Sequence, residues 1–353
     1  METILTEKAT EFLGELSARK VGKVDIVVPS SSLSMGVSGK VAIRRSSLDS
    51  VYDYELAPTD WAHTQLAEKL GIPKSYYDRM RVEQPELLAR NVNVWLGVVQ
   101  TLNLVRGWNG EMIAFLSNRY RAIDNYDVAD AVVKTAYKLT DNIVMTKAYV
   151  TDRVMDFQLV SPAITYMPMP GDEYHPGINV RNSEVGYSRF MVEPFLWRTM
   201  CRNGLVLGFK DISRVHLGGR IGEGDYWSYK TRQYENLLLL SEVEDMVQYV
   251  FSNEFKNEVG ERFKTLKAEN LPPKIIDASL KILNLTEEEG KDIYGRIDGN
   301  TRYDFIQAIT NKANDYLNDK KNPERGYELQ VVGGKLVTDR ELWKKIETNA
   351  EKL

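Results

Sequence analysis

Apolar residues recur at the spacing of an amphipathic helix in three parts of the N-terminal two-thirds of the chain, where they lie three or four positions apart. These parts are residues 2–19, Trp61 to Leu70 and Tyr126 to Tyr137. Pro58 opens a helix-start signal, and further short helices are predicted to begin at Pro73 and Pro85. The pattern therefore predicts an inserted helical unit over about 58–97.

Short β-prone runs on either side of turn residues predict hairpins. Asn109-Gly110 separates two such runs, Thr101 to Trp108 and Glu111 to Ser117, and this dipeptide is the strongest short hairpin signal. Two more strands are predicted at Ile143 to Val150 and Val154 to Val160. The front of the chain therefore combines helices with mainly antiparallel strands.

The C-terminal part has a different pattern. From about Ser228 it is mostly helical, most clearly at Tyr303 to Tyr316. Within it, Tyr327 to Val332 and Lys335 to Val337 flank Gly333-Gly334, which predicts a small hairpin.

These elements predict an α+β fold. A mainly antiparallel sheet with packed helices is expected in the N-terminal two-thirds, followed by a helical C-terminal region. The predicted division is a core domain over 1–227, which includes the inserted helical unit, and a mostly helical region over 228–353.

The composition is that of a globular chain, since 43% of its 353 residues are hydrophobic and 27% are charged. No window approaches the ~20 apolar residues that cross a membrane, so no membrane partner is predicted. Cys201 is the one cysteine, which excludes an internal disulfide and suits the reducing cytoplasm. It cannot form a standard zinc site with three distant histidines, although a carboxylate-held magnesium site stays open.

Charge is distributed unevenly along the chain. The formal net charge is -4, but residues 181–232 contain nine basic and five acidic side chains between two acidic flanks. A local excess of cations is what a polyanion-binding surface needs. Chance drift, or pairing with acidic neighbours in the fold, would produce the same excess.

The strongest candidate constellation interleaves arginines, aromatic rings and amides within Ile178 to Val206. Guanidinium groups neutralise phosphates, and aromatic rings stack unpaired bases, so this mixture suits single-stranded nucleic acid. A sheet with core aromatics and solvated arginines would have the same residue types. The candidate nucleic-acid-binding residues, with nearby basic residues added, are Arg119, Tyr120, Arg121, Arg181, Asn182, Arg189, Arg198, Arg202, Asn203, Arg214, Arg220, Lys230 and Arg232.

Familiar catalytic motifs are missing from the sequence. It has no Walker A motif, no GxSxG and no HExxH, so we predict neither a catalytic residue nor a cofactor. Asp124, Asp127 and Asp152 are the carboxylates that a magnesium-dependent nuclease would use. For Asp127 and Asp130 we prefer the simpler explanation, an acidic helix start that the helix dipole favours.

Several segments resemble a known family. They are TDWAHTQLAEKLGIPKSYYDRM, PELLARNVNVWL, LVRGWNGEMIAFLSNRYRAIDNYDVADAV, INVRNSEVGYSRF with RTMCRNGLV, and RYDFIQAITNKAND. Over roughly residues 55 to 335 the chain resembles the phage/plasmid-like proteins of domain of unknown function 932. The resemblance implies a bacteriophage, plasmid or prophage context, near genes for replication and recombination. It supplies no catalytic residue, and this chain has RNSEVGYSRF where relatives have a TNSHDGS-like string.

The leading hypothesis is a non-enzymatic protein of DNA metabolism that binds single-stranded DNA and anneals or protects it during replication or recombination. The expected partners are the strand, further copies of the chain in a homo-oligomer, and a host or phage replication or recombination protein, in the cytoplasm of a bacterial host cell. Two alternatives stay open: a magnesium-dependent nuclease, and an inhibitor of a host defence protein that uses the acidic run Glu287-Glu288-Glu289.

Overall fold

The computed structural model describes residues 6–46, 51–169, 171–199, 203–208, 212–214, 229–319 and 322–352. The helices of this part of the chain are α1 (Glu7–Lys20), α2 (Asp60–Lys69), α3 (Lys74–Glu83), α4 (Pro85–Val98), α5 (Asn125–Leu139), α6 (Tyr229–Val250), α7 (Asn253–Ala268), α8 (Pro273–Ile282), α9 (Glu287–Gly295), α10 (Arg302–Asp319), α11 (Pro323–Thr338) and α12 (Arg340–Ala350). The strands are β1 (Lys23–Pro29), β2 (Leu33–Met35), β3 (Val41–Ser46), β4 (Val51–Pro58), β5 (Leu102–Trp108), β6 (Glu111–Ser117), β7 (Val144–Val150), β8 (Met155–Val160), β9 (Tyr166–Met169), β10 (Asp172–Asn182), β11 (Phe190–Arg198), β12 (Asn203–Val206) and β13 (Ile212–Arg214).

The first sheet has the strand order β1-β5-β6-β4-β3-β2. Its pairs are antiparallel except β4 with β6, which run parallel at the end of β4. Helices α2, α3 and α4 cover one face and share a core with it, in which Leu66, Tyr77 and Val92 are almost fully buried. These three helices lie in the part of the chain, about 58–97, where the sequence predicts an inserted helical unit.

The second sheet has the order β12-β11-β10-β8-β7, with β9 on β10 and β13 on β11. All these pairs are antiparallel. Alternate residues such as Phe157 and Leu159 enter one large core that also takes in α1, α5 and the C-terminal helices. The α+β prediction is confirmed, and the C-terminal helices pack on this sheet within the same hydrophobic core.

The other face of the second sheet, which we call its polar face, carries a row of polar side chains next to a small apolar cluster around Phe195. Gln158, Asn179 and Glu193 are opposite one another on β8, β10 and β11, and their side chains form a hydrogen-bonded row. Helix α11 covers this row, with the Tyr327 hydroxyl donating to Glu193 Oε2 at 2.8 Å. Each buried amide and carboxylate of the row therefore has a partner within the fold.

The Asn109-Gly110 hairpin forms as the sequence predicts. Both residues have positive φ, 51° and 83°, which is the backbone that a two-residue turn of type I′ requires. Among the described residues, no helix is long and apolar enough to span a bilayer.

The predicted hairpin around Gly333-Gly334 is wrong, because these residues lie inside α11. Asn322 caps this helix by accepting from the Arg325 amide, and Pro323 occupies its first position. The two glycines permit close packing instead of a turn. A Cβ on Gly334 would lie 1.6 Å from the Val206 carbonyl oxygen of β12, and one on Gly333 would lie 2.6 Å from Thr310 Cγ2.

Gly334→Ala should destabilise the protein by about 3 kcal/mol, because the added methyl group forces α11 away from β12. The matched control is Gly260→Ala in α7, where a Cβ would meet nothing within 4 Å. That change should be neutral or stabilising by ~0.5–1 kcal/mol. Urea unfolding of both variants measures the difference, and equal effects would contradict this role for Gly334.

Candidate nucleic-acid interface

The loop between β10 and β11, residues 183–189, is held from several sides and presents its outer part to solvent. The Tyr120 hydroxyl donates to the Ser183 carbonyl at 2.6 Å and accepts from the Gly186 amide at 3.1 Å. The Ser183 hydroxyl oxygen accepts from the Tyr187 amide at 2.9 Å. Gly186 has φ 74°, a left-handed conformation that favours glycine. The loop therefore has one defined conformation.

Helix α2 holds the same loop from the side of the first sheet. Trp61 Nε1 and Gln65 Nε2 both donate to the Val185 carbonyl, at 2.9 and 2.7 Å. Gln65 Oε1 accepts from the Phe115 amide of β6 at 2.9 Å. Trp61 and Gln65 are four residues apart, so they lie on one face of the helix.

A buried cation beneath the loop connects the two sheets. Arg106 of β5 donates through Nε to Asp25 Oδ1 at 2.7 Å and through the guanidinium NH2 to Asp124 Oδ1 at 3.1 Å. Its remaining NH1 group donates to the Glu184 carbonyl at 2.9 Å. Lys23 Nζ lies 2.5 Å from Glu184 Oε1. We call Lys23, Arg106 and their carboxylates Asp25, Asp124 and Glu184 the inter-sheet ion cluster.

Protonation equilibria reflect this pairing. Burial alone would lower the pKa of Arg106, but Asp25 and Asp124 outweigh it and raise that pKa further. Burial would raise the pKa of Asp124, but Arg106 and Lys23 outweigh it and lower that pKa. Both groups are therefore charged at neutral pH.

Beside the 183–189 loop, three side chains from separate parts of the chain form an arginine–aromatic cluster: Trp61, Arg153 and Tyr187. The Arg153 guanidinium lies over both rings, 5.4 Å from the Trp61 centroid and 5.5 Å from the Tyr187 centroid. The two rings meet edge to face at 5.2 Å. Arg153 and Tyr187 are exposed to solvent.

The turn between β7 and β8 places Arg153 in this cluster. Thr151 Oγ1 accepts from the amides of Arg153 and Val154, at 3.2 and 3.1 Å, and the Thr151 amide donates to the Val154 carbonyl at 2.8 Å. These bonds fix a tight turn in the way that Ser and Thr hydroxyls commonly do. The guanidinium is thus oriented by its turn and by two rings before any ligand binds.

Two predicted arginines, Arg119 and Arg189, are exposed on loops beside the arginine–aromatic cluster. Arg119 precedes Tyr120, which contacts the 183–189 loop, and Arg189 ends that loop. Within the described part of the chain, neither guanidinium has a hydrogen bond or ion pair. Both arginines are thus available to an external anion.

The other predicted residues with described side chains have partners inside the protein. Arg181 is buried on the polar face of the second sheet, between Asp156, Glu324 and the Tyr327 ring. Arg198 is on the opposite face and donates to Asp172 Oδ1 at 2.6 Å. One groove cannot contain both arginines, because the sheet separates them.

Tyr120, Asn182 and Arg121 serve the packing around the 183–189 loop. Asn182 is fully buried and donates to the Ile123 carbonyl and to Asn125 Oδ1. Arg121 anchors α6 by donating to Asn236 Oδ1 at 2.9 Å and to the Glu235 carbonyl. While these elements keep this packing, a strand has no access to buried Tyr120 and Asn182.

Six further predicted residues cannot be placed in the site. Arg202 and Arg220 lie outside the described residues. For the remaining four the description covers the backbone and not the side chain: Asn203, Arg214, Lys230 and Arg232.

The sequence did not connect Trp61, Arg153 and Tyr187. Tyr187 belongs to the arginine-rich constellation, but Trp61 belongs to the helical unit and Arg153 to a turn. No local spacing links three such segments, and only the tertiary fold brings them together.

No family model, no curated protein and no solved structure matches this chain. The resemblance to the phage/plasmid-like family therefore stays a prediction.

Arg106→Ala should destabilise the protein by about 3–5 kcal/mol, because it leaves the carboxylates of Asp25 and Asp124 without their buried partner. The control is Arg79→Ala, which breaks an exposed pair with Glu83 and should cost under ~1 kcal/mol. Chemical unfolding of the two variants provides the comparison. If Arg106→Ala lowers the free energy of unfolding as little as the control does, the ion cluster does not stabilise the contact between the sheets.

Proposed function

We propose that this chain binds single-stranded DNA and anneals or protects the strand during replication or recombination of a phage or mobile element. The observation that carries the proposal is the arginine–aromatic cluster, with Arg119 and Arg189 on the loops beside it. Single-strand binding proteins combine cations that follow the backbone with rings on which bases stack.

The chemistry of the cluster suits an unpaired strand. Arg153 is oriented by two rings, so little side-chain freedom remains to be lost when its edge binds a phosphate. Tyr187 is 37% exposed and offers ring surface to a base. Stacking and phosphate contacts recognise no particular sequence, as annealing or protection of a strand requires.

Annealing needs two strands to be held near each other. We therefore include in the proposal the homo-oligomer expected from the sequence, in which neighbouring copies each hold part of a strand. The proposed working partner is a replication or recombination protein of the host or phage.

Two of the three carboxylates of the nuclease alternative are engaged within the fold. Asp124 belongs to the inter-sheet ion cluster, and Asp127 accepts from Lys20 Nζ at 2.6 Å. Asp152 is exposed on the turn beside Arg153. The described residues contain no group of three or more His, Cys, Asp or Glu side chains able to hold a metal ion.

The acidic run of the inhibitor alternative stabilises its own helix. Thr286 and Glu289 form a capping box at the start of α9, and Glu289 also pairs with Arg325 at 2.7 Å. Glu287 pairs with Lys291 on the same helix. Only part of the run is therefore free to imitate DNA.

Arg153→Ala and Tyr187→Ala should each weaken single-strand binding roughly tenfold, with different salt dependence. Loss of Arg153 removes a phosphate contact and should reduce the slope of log K against log salt by about 0.7. Loss of Tyr187 removes stacking and should leave that slope unchanged. Fluorescence anisotropy with a labelled oligonucleotide at several salt concentrations measures both quantities.

The control for these variants is Arg340→Ala, an exposed arginine on α12. Wild-type affinity in both cluster variants would contradict the proposal, as would an equal loss in the control. The oligonucleotide is also examined for length after incubation with magnesium. A shortened strand would replace the proposal with the nuclease alternative.

A further inference from the structure

A separate pocket of about 370 Å³ lies on the first sheet, away from the Val185 side of α2. The turn between β2 and β3, the end of β4 and the first residues of α2 and α4 surround it. Its volume is at the lower end of the range for small-ligand sites.

A buried histidine lines this pocket. His63 is 6% exposed, and its Nδ1 lies 2.9 Å from the Tyr77 hydroxyl. In the described residues that hydroxyl has no other acceptor. The tautomer that satisfies both groups has the hydroxyl donating to Nδ1 and the ring proton on Nε2, and we assign it on that ground. Nε2 itself has no hydrogen-bond partner among the described residues. Burial, followed by the nearby charge of Arg81, lowers the pKa of His63 to about 4, so the ring is a neutral donor at pH 7.

Two helices begin at the pocket. Asp60 is the first residue of α2 and Pro85 the first residue of α4, and both line the wall. The N-terminus of a helix carries a partial positive charge of roughly half a unit, which favours anions. Pro85 itself has no N–H and the Ala62 amide donates to Thr59 Oγ1, so these two termini act through their partial charge. The two partial charges add to the donor on His63.

Two cations complete the wall. Arg81 NH1 donates to Asp60 Oδ1 at 2.8 Å, and elsewhere among the described residues the Arg81 guanidinium has no acceptor. Lys40 Nζ lies 3.7 Å from Glu55 Oε2, with both side chains about half exposed. Asp60 is the one acidic residue of the wall, and its carboxylate is already engaged by Arg81. The remaining Arg81 donors, Lys40 and the helix termini make the site attractive to an anion.

We propose that this pocket binds a phosphate group, held by Arg81 and Lys40 with His63 Nε2 donating to one of its oxygens. A tetrahedral anion has enough acceptor oxygens to take all three donors at once. The group belongs to a free phosphate, to a nucleotide or to the phosphorylated end of a strand, since the pocket chemistry is the same for all three.

The phosphate pocket is independent of the proposed single-strand interface. Asp60 and His63 are three residues apart on one face of α2, whereas Trp61 and Gln65 use another face to hold Val185. Each site can therefore fail without the other, and separate variants distinguish them.

The test is a titration of the full-length chain, with ¹⁵N-labelled histidine, by inorganic phosphate at neutral pH. Nε2 of His63 should shift and saturate with a dissociation constant of about 1 mM or below, while the other two histidines stay unchanged. Sodium chloride at equal ionic strength is the blank. A His63 signal that does not move, or that moves equally with chloride, would overturn the proposal.

Arg81→Gln should weaken phosphate binding at least tenfold, because it removes the charged donor. The matched control is Arg79→Gln on the same helix, which pairs with Glu83 and does not line the pocket. Equal losses in the two variants would show a general charge effect and refute the site.

Deoxyadenosine monophosphate and a short oligonucleotide, with and without its 5′-phosphate, then identify the source. Tighter binding of the nucleotide than of phosphate supports a nucleotide site. A strand-end site is supported if the 5′-phosphate raises the affinity for the oligonucleotide. This increase in affinity should then be lost in Arg81→Gln and kept in Arg153→Ala. If phosphate binds but neither the nucleotide nor the oligonucleotide displaces it, the site is one for free phosphate.

Discussion

The buried guanidinium of Arg106 is the interaction on which the arrangement of the two sheets depends. It is 2% exposed, and its donors are directed to β1, to the start of α5 and to the loop between β10 and β11. A buried cation is tolerated only when such partners surround it. The ion cluster therefore requires the first sheet and the 183–189 loop of the second to approach each other closely. Tyr120, Trp61 and Gln65 then fix the loop by hydrogen bonds to its backbone.

The proposed strand interface follows from that approach. With its inner side held by buried bonds, the 183–189 loop can expose Tyr187 and Arg189 without losing its shape. Trp61 has both roles, because its indole N–H holds the loop while its ring supports Arg153. A rigidly held loop with exposed cations and one exposed ring is a preorganised binding surface, and preorganisation lowers the entropic cost of binding a flexible strand.

The sequence predicted the elements better than the site, for physical reasons that particular residues illustrate. Asn109-Gly110 determines its hairpin locally, and the apolar period of α5 needs no partner to be recognised. Gly333-Gly334 predicts a hairpin wrongly, because tight turns and close helix packing both favour glycine. Only the position of β12 against α11 distinguishes the two cases. The roles of the arginines depend on strand register. Arg181 and Arg198 belong to the same arginine-rich segment, but they lie on opposite faces of a sheet. Arg153 gave no signal, since its partners are far away in the chain.

Photocrosslinking to a single strand that contains 5-iodouracil is the sharpest test of the proposed strand interface, because the reagent reacts with aromatic side chains that stack on the base. The crosslinked peptides are identified by mass spectrometry after digestion. Crosslinks are expected at Tyr187, the exposed ring of the cluster, and they should disappear when unlabelled strand competes. Two results would contradict this interface. One is a set of competable crosslinks confined to the polar face under α11 or to the C-terminal helices, and the other is a strand that gives no crosslink sensitive to competition.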